Sequence, residues 1–134
     1  KHPVPDRIIA LATGGLIPAT ILANKLGVRH VYSMGLSSYE PDDTGEEHPN
    51  EFDIYQRLPV NLPQLDLNQH VLIVDDISDR GNTFEYAESF IKNNIGGTVI
   101  TMSLVIKPRT KFIPNYYHDL VPDDCWVVFP WERS

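Results

Sequence analysis

The stretch Val71-Leu-Ile-Val-Asp-Asp-Ile-Ser-Asp-Arg-Gly-Asn-Thr83 constrains this chain more than any other. Val71 to Val74 is an unbroken apolar run that ends abruptly in two acids. A run this short and this apolar reads as a strand buried on both faces, the kind found in parallel sheets covered by helices. Asp75 and Asp76 end it. A Ser/Asp/Gly/Asn turn follows, and the spacing predicts a helix from about Thr83 to Asn94. In open α/β sheets ligands bind beyond the carboxyl ends of the strands. A glycine loop leading into a helix there points several backbone N–H groups at one spot, which suits a phosphate. The Thr83 hydroxyl adds a donor, and Asp75 and Asp76 can hold sugar hydroxyls or a divalent cation through oxygen. The plainer alternative is a helix-capping cluster on an ordinary turn.

Similar alternation recurs along the chain, so the expected class is α/β, a mainly parallel sheet flanked by helices. Ile8 to Leu11 reads as a strand, Leu16 to Leu26 as a helix stopped by Gly27, and His30 to Leu36 as a second strand. Ser37 to Asn50 is acidic and broken by Pro41, Gly45 and Pro49, which predicts a long loop or lid. Tyr55 to Val60 reads as an edge strand, Asn61 to Asn68 as a connector and Thr98 to Ile106 as a strong strand begun after Gly96 and Gly97. Trp126 to Phe129 reads as a last short strand. With 134 residues and no repeat, one domain over 1–134 is expected. The first residue is Lys1, not Met, and an N-terminal segment is expected to be missing.

The net charge of −7 and the lack of a basic stripe argue against a nucleic-acid partner. No run approaches the roughly 20 apolar residues that span a bilayer. The single cysteine, Cys125, excludes an intrachain disulfide. A cytoplasmic setting without membrane contact is expected.

The segment Val71 to Thr83 resembles the phosphoribosyl pyrophosphate signature of the type I phosphoribosyltransferases: apolar strand, two acids, two variable residues, then D-x-G-x-T. The resemblance implies that Asp75 and Asp76 meet the ribose hydroxyls, directly or through magnesium. It implies that Asp79, Arg80, Gly81, Asn82 and Thr83 cradle the 5′-phosphate, and that Asp79 lies near N7 of a purine as general acid or base. The first strand ends in Ala12-Thr13-Gly14-Gly15, with Leu16 and Pro18 completing the family's G-G-L-x-P. Alone, Gly-Gly is as compatible with a plain turn, but the family binds pyrophosphate there. Purine members often have Arg or Lys where this chain has Thr13, which would shift part of that task to Arg57 and magnesium. Arg57 is equally compatible with a surface position. Ser37, Ser38 and Tyr39 resemble the start of the family's closing lid, whose use is exclusion of water.

The remaining resemblance concerns the base. Lys107 follows the Thr98–Ile106 strand, where 6-oxopurine members use a lysine as donor to O6. The run Trp126-Val127-Val128-Phe129-Pro130-Trp131-Glu132 is similar to the C-terminal hood of xanthine-guanine and hypoxanthine enzymes. It implies that Trp126 stacks on the purine, that the Val127 backbone reads the 2-position, and that Glu132 approaches the metal of pyrophosphate. Core packing or a subunit contact is the alternative for Trp131. A lysine donor disfavours adenine. The expected substrates are phosphoribosyl pyrophosphate and guanine, xanthine or hypoxanthine, with magnesium as cofactor, in a homodimer or homotetramer. Two rivals remain: an enzyme of this fold for a non-purine base, and a non-catalytic sensor of phosphoribosyl pyrophosphate or a nucleotide.

Overall fold

The computed structural model describes residues 4–38 and 52–132. Among them lie β1 (Arg7–Ala12), α1 (Leu16–Leu26), β2 (Val31–Ser38), β3 (Phe52–Gln56), β4 (Leu65–Ser78), α2 (Asn82–Asn94), β5 (Gly96–Ile106) and β6 (Tyr116–Leu120). The strands form one sheet in the order β3-β2-β1-β4-β5-β6. All neighbours are parallel except β2 and β3.

The apolar run of β4 explains the layering. Val71 and Ile73 face one side, where they join Phe84, Ala87 and Ile91 of α2. Leu72 and Val74 face the other, with Ala19 and Ala23 of α1. A strand covered on both faces has no solvent side, so alternation disappears from its sequence. Burying each such side chain contributes about 1.5–3 kcal/mol before chain entropy is set against it. Ile8, Ile9 and Ala10 of β1 are likewise fully buried.

The crossover from β1 through α1 moves outward to β2, whereas that from β4 through α2 moves the opposite way to β5. Right-handed crossovers in opposite directions place their helices on opposite faces. The chain therefore diverges between β1 and β4, and the two strand–helix turns meet there.

The predicted α1 and its stop are observed: the Gly27 N–H bonds the Ala23 carbonyl. Four boundaries differ. The edge strand is Phe52–Gln56 rather than 55–60, because its pairing runs from Ser38 opposite Phe52 to Gly35 opposite Gln56. β4 begins at Leu65, inside the expected connector, where Leu65 pairs with Gly96. β2 extends through Ser37 and Ser38, so those two residues end a strand instead of opening a loop, and Tyr39 lies outside the described residues. The last strand is Tyr116–Leu120, parallel to β5, while 126–129 is irregular. Aromatic and β-branched composition favours a strand at both places. Only 116–120 finds an open edge, beside β5.

Candidate active site

The first turn is shaped by lack of space. A Cβ added at Gly14 would lie 2.3 Å from a carboxylate oxygen of Asp76, and one at Gly15 would lie 2.2 Å from the Val74 carbonyl. Neither glycine has positive φ: Gly15 has φ −82°, and Gly14 is not among the positive-φ glycines. These glycines are required because the turn presses on the end of β4. The Ala12–Thr13 peptide is cis. The exposed Thr13 follows, and no basic residue occurs from Ala12 to Leu16. The Tyr55 hydroxyl donates to the Ala12 carbonyl at 2.9 Å, and its ring fills the space left by Gly35.

The second turn carries Asp75 and Asp76 into the loop before α2. The Asp76 N–H donates to Asp75 Oδ1 at 2.8 Å. Burial, and then the neighbouring Asp76 carboxylate, push the Asp75 carboxyl well above the ordinary carboxylate range. Gly81 precedes α2 with φ +91°, a conformation that favours glycine, and no side chain caps the helix. The first N–H groups of α2 are thus without a side-chain acceptor at the wall of a hollow of about 280 Å³. Its lining includes Asp75, Asp79, Arg80, Gly81, Asn82 and Thr83. Ser78 in the same turn is spent on structure, bonding the Phe112 carbonyl at 2.9 Å.

The raised proton affinity of Asp75 has a stability consequence. The folded chain binds this proton more tightly than the unfolded chain does. The associated stabilisation is complete below the ordinary carboxylate range and is lost as pH rises through the raised pKa of Asp75. Asp75→Asn keeps the acceptor for Asp76 N–H and removes the charge. Thermal unfolding in the presence of a chelator should show the variant more stable than wild type at pH 7, with the gap closing near pH 4. A gap independent of pH would contradict this assignment.

A second hollow, of about 180 Å³, adjoins the first: Ile77 and Asp79 line both. Its other walls include Lys107, Arg109, Asp123, Trp126, Val127 and Glu132. Lys107 is only 3% exposed, so it is not the solvated strand-end lysine that its position suggests. Its Nζ donates to the Pro122 carbonyl at 2.7 Å and to the Cys125 carbonyl, leaving one of three donors. Those bonds tie the C-terminal segment to the residue that follows β5. The Trp126 ring is 89% exposed at the mouth, whereas Phe129 is buried and stacks on Trp131 with centroids 5.1 Å apart.

Two expected residues stand apart. Arg57 lines neither hollow. It lies beyond β3, in another cavity with Met34, Ile54, Phe90 and Ile95. Glu132 lines the second hollow, while Asp76 lies against the first turn. Among the described residues no group of three or more His, Cys, Asp or Glu could hold a metal. The paired carboxylates still suit a hard cation, because magnesium usually takes one or two carboxylates and completes its shell with substrate phosphate and water.

Sequence reading missed Arg109. Its Nε lies 2.7 Å from Asp79 Oδ1, and its backbone N–H donates to Asp123 at 3.1 Å. This bond to Asp79 holds the Arg109 guanidinium still more firmly protonated than usual. Thirty residues separate the pair, and no local pattern announces it.

A glycine turn and an acid pair at the divergence point, beside a second hollow walled by the C-terminal segment, place a candidate active site on an α/β sheet with the fold of a type I phosphoribosyltransferase. The chain belongs to the phosphoribosyltransferase family, whose domain model matches residues 4–133. It is 30% identical to a xanthine-guanine phosphoribosyltransferase of Gluconobacter oxydans (strain 621H), over all of this chain and 73% of that one. It also resembles the crystal structure of a purine phosphoribosyltransferase from Pyrococcus horikoshii Ot3. That match has TM-score 0.79 and 32% identity, and covers 97% of this chain and 78% of that one. A third likeness is a hypothetical protein from Neisseria gonorrhoeae with bound ppGpp. Its TM-score is 0.71 at 28% identity, covering 97% and 75% of the two chains. The chain is thus a phosphoribosyltransferase, a pentosyl-transferring enzyme. None of the helices described is long and apolar enough to cross a membrane.

Proposed function

We propose that this enzyme transfers ribose 5-phosphate from phosphoribosyl pyrophosphate to a 6-oxopurine (guanine, xanthine or hypoxanthine) and releases pyrophosphate. The observation that carries the reading is the sharing of Asp79 between the two hollows. One side chain can then stand between a sugar phosphate on the α2 loop and a planar base under the hood. The 5′-phosphate accepts from the N–H groups of Gly81, Asn82 and Thr83, with Arg80 beside it. Asp75 and Asp76 accept from the ribose hydroxyls. Thr13, Gly14 and Gly15 offer amides to the pyrophosphate.

Magnesium, bound by Asp76 together with substrate oxygens, would neutralise charge on the departing pyrophosphate. Trp126 offers a face for stacking, the Val127 backbone reads the 2-position, and the last Lys107 donor meets O6. Asp79 takes or shares the N7 proton as the base attacks C1 of the ribose. Because bond making and breaking occur on the substrates, alignment carries much of the rate. We assign Ser37, Ser38 and Tyr39 to a closing lid over the site; Ser37 and Ser38 end β2, and Tyr39 lies outside the described residues. Arg57 could serve pyrophosphate only from outside both hollows, and Glu132 only from the base side. A soluble cytoplasmic homo-oligomer, one domain over 1–134, completes the reading.

The test is pyrophosphate release from phosphoribosyl pyrophosphate with guanine, xanthine, hypoxanthine, adenine, uracil and orotate supplied separately. Turnover with one or more 6-oxopurines is expected, and little with adenine. Lys107→Ala should raise KM for the base about 10-fold or more, since it removes a donor and strands two carbonyls. Turnover only with a pyrimidine would sink the purine assignment. A second reading is favoured by the ppGpp-bound relative: a guanosine polyphosphate occupies the same site as a regulatory ligand. Competition between ppGpp and phosphoribosyl pyrophosphate, measured by calorimetry, tests it.

A further inference from the structure

The segment Lys107–Phe112 lies between β5 and β6 and meets the turn before α2 at several points. The Lys107 N–H donates to the Ser78 carbonyl at 3.0 Å, and the Lys111 N–H to the Arg80 carbonyl at 3.1 Å. The Thr110 and Ser78 hydroxyls are 2.9 Å apart, and each is 2.9 Å from the Phe112 carbonyl. A Cβ on Gly81 would meet the Phe112 nitrogen at 2.6 Å and Thr110 Oγ1 at 2.8 Å. The Phe112 ring stacks on Phe84 of α2 with centroids 5.4 Å apart. From this segment Arg109 reaches the other way, into the base hollow, to Asp79.

We propose that Lys107–Phe112 is a two-sided positioning strap, in which Thr110 sets the turn that receives the sugar phosphate and Arg109 sets the Asp79 carboxylate that receives the base. The proposal rests on the purine reading above. Its chemistry is a division of labour on one carboxylate. Arg109 Nε occupies Oδ1, which orients the group and leaves Oδ2 for a ring N–H. A carboxylate held in this way has already given up that rotation before the reaction, so less entropy is lost on reaching the transition state. In this reading Arg109 acts through Asp79 and is a positioning residue. Its own register is set by its N–H bond to Asp123, so the strap also ties the phosphate turn to the hood.

The two halves predict opposite kinetic signatures. Arg109→Ala should lower kcat/KM for the base about 10- to 100-fold, with KM for phosphoribosyl pyrophosphate within about twofold of wild type. Arg109→Lys should recover part of the loss. On an Asp79→Asn background, Arg109→Ala should cost less than about threefold more, because the carboxylate oxygen whose placement it secures has been replaced by an amide NH₂. Thr110→Val should raise KM for phosphoribosyl pyrophosphate about 5- to 20-fold and leave KM for the base within about twofold, with Thr110→Ser restoring the value.

The experiment is steady-state kinetics of these variants with both substrates varied, alongside their melting temperatures. That pattern establishes the strap. Equal effects of Arg109→Ala on both substrates, or full additivity with Asp79→Asn, would overturn the role of Arg109. Thr110→Val acting on the base instead would overturn the role of Thr110. Wild-type protein that binds phosphoribosyl pyrophosphate but turns over no purine would overturn the reading beneath the proposal, and the proposal with it.

Discussion

Asp79→Asn is expected to lower kcat about 10²- to 10⁴-fold, the range typical of a lost general acid or base. The variant is nearly isosteric. Its side-chain oxygen can still accept from Arg109 Nε, now 2.7 Å from Asp79 Oδ1, so the turn should keep its shape. What changes is the second position, where an amide NH₂ replaces a carboxylate oxygen. A ring N–H at N7 would then meet a donor rather than an acceptor. The pair with Arg109 is about half exposed and contributes little to stability, so the melting temperature should move by no more than about 2 °C. KM for phosphoribosyl pyrophosphate should hold within about threefold if the 5′-phosphate is held mainly by backbone N–H groups. Stopped-time assays at saturating base and phosphoribosyl pyrophosphate check the point. A variant that retains more than a tenth of wild-type kcat would remove Asp79 from proton management and leave it a binding residue.

The second large effect concerns Gly15→Ala. The added Cβ would sit 2.2 Å from the Val74 carbonyl and 2.9 Å from the Leu11 nitrogen and carbonyl oxygen. All three are backbone atoms in the centre of the sheet, and none can rotate away as a side chain could. The turn must therefore retreat from β4. A loss of about 1–3 kcal/mol is expected, the usual range for overpacking, with a fall in melting temperature of roughly 3–12 °C. The same retreat would carry the turn's amides away from a ligand, so KM for phosphoribosyl pyrophosphate should rise about 10-fold or more. Gly27→Ala is the control. Its φ of +72° strains an alanine, but open space surrounds it, at the far end of α1 from the turn. It should lose stability and keep its KM. Equal KM values for both variants would show that the first turn is structural and does not bind pyrophosphate.

Several elements were legible from local pattern because burial writes itself into composition. Val71 to Val74 had to be covered on both sides, and Leu16 to Leu26 ended where Gly27 allowed it. The turn between β4 and α2 was readable because the apolar run, Gly81 and the helix follow one another directly along the chain. The shortfalls share one cause. Tyr116–Leu120 and 126–129 have similar strand-forming content, and only the edge beside β5 decided between them. Arg57 was expected at the pyrophosphate by analogy of position, whereas the path of the chain beyond β3 takes it to a separate cavity.

By itself the sequence determined the α/β class, the main helix and strand core, and the local acid–glycine turn that suits a sugar phosphate. Each follows from neighbours within about a dozen residues. Only the tertiary structure decided that Gly14 and Gly15 exist to let one turn press on another, and that Lys107 is buried with two carbonyls. It alone joined Asp79 to Arg109. Those facts depend on which strands lie side by side, and that order is set by the direction of two crossovers rather than by any local run of residues.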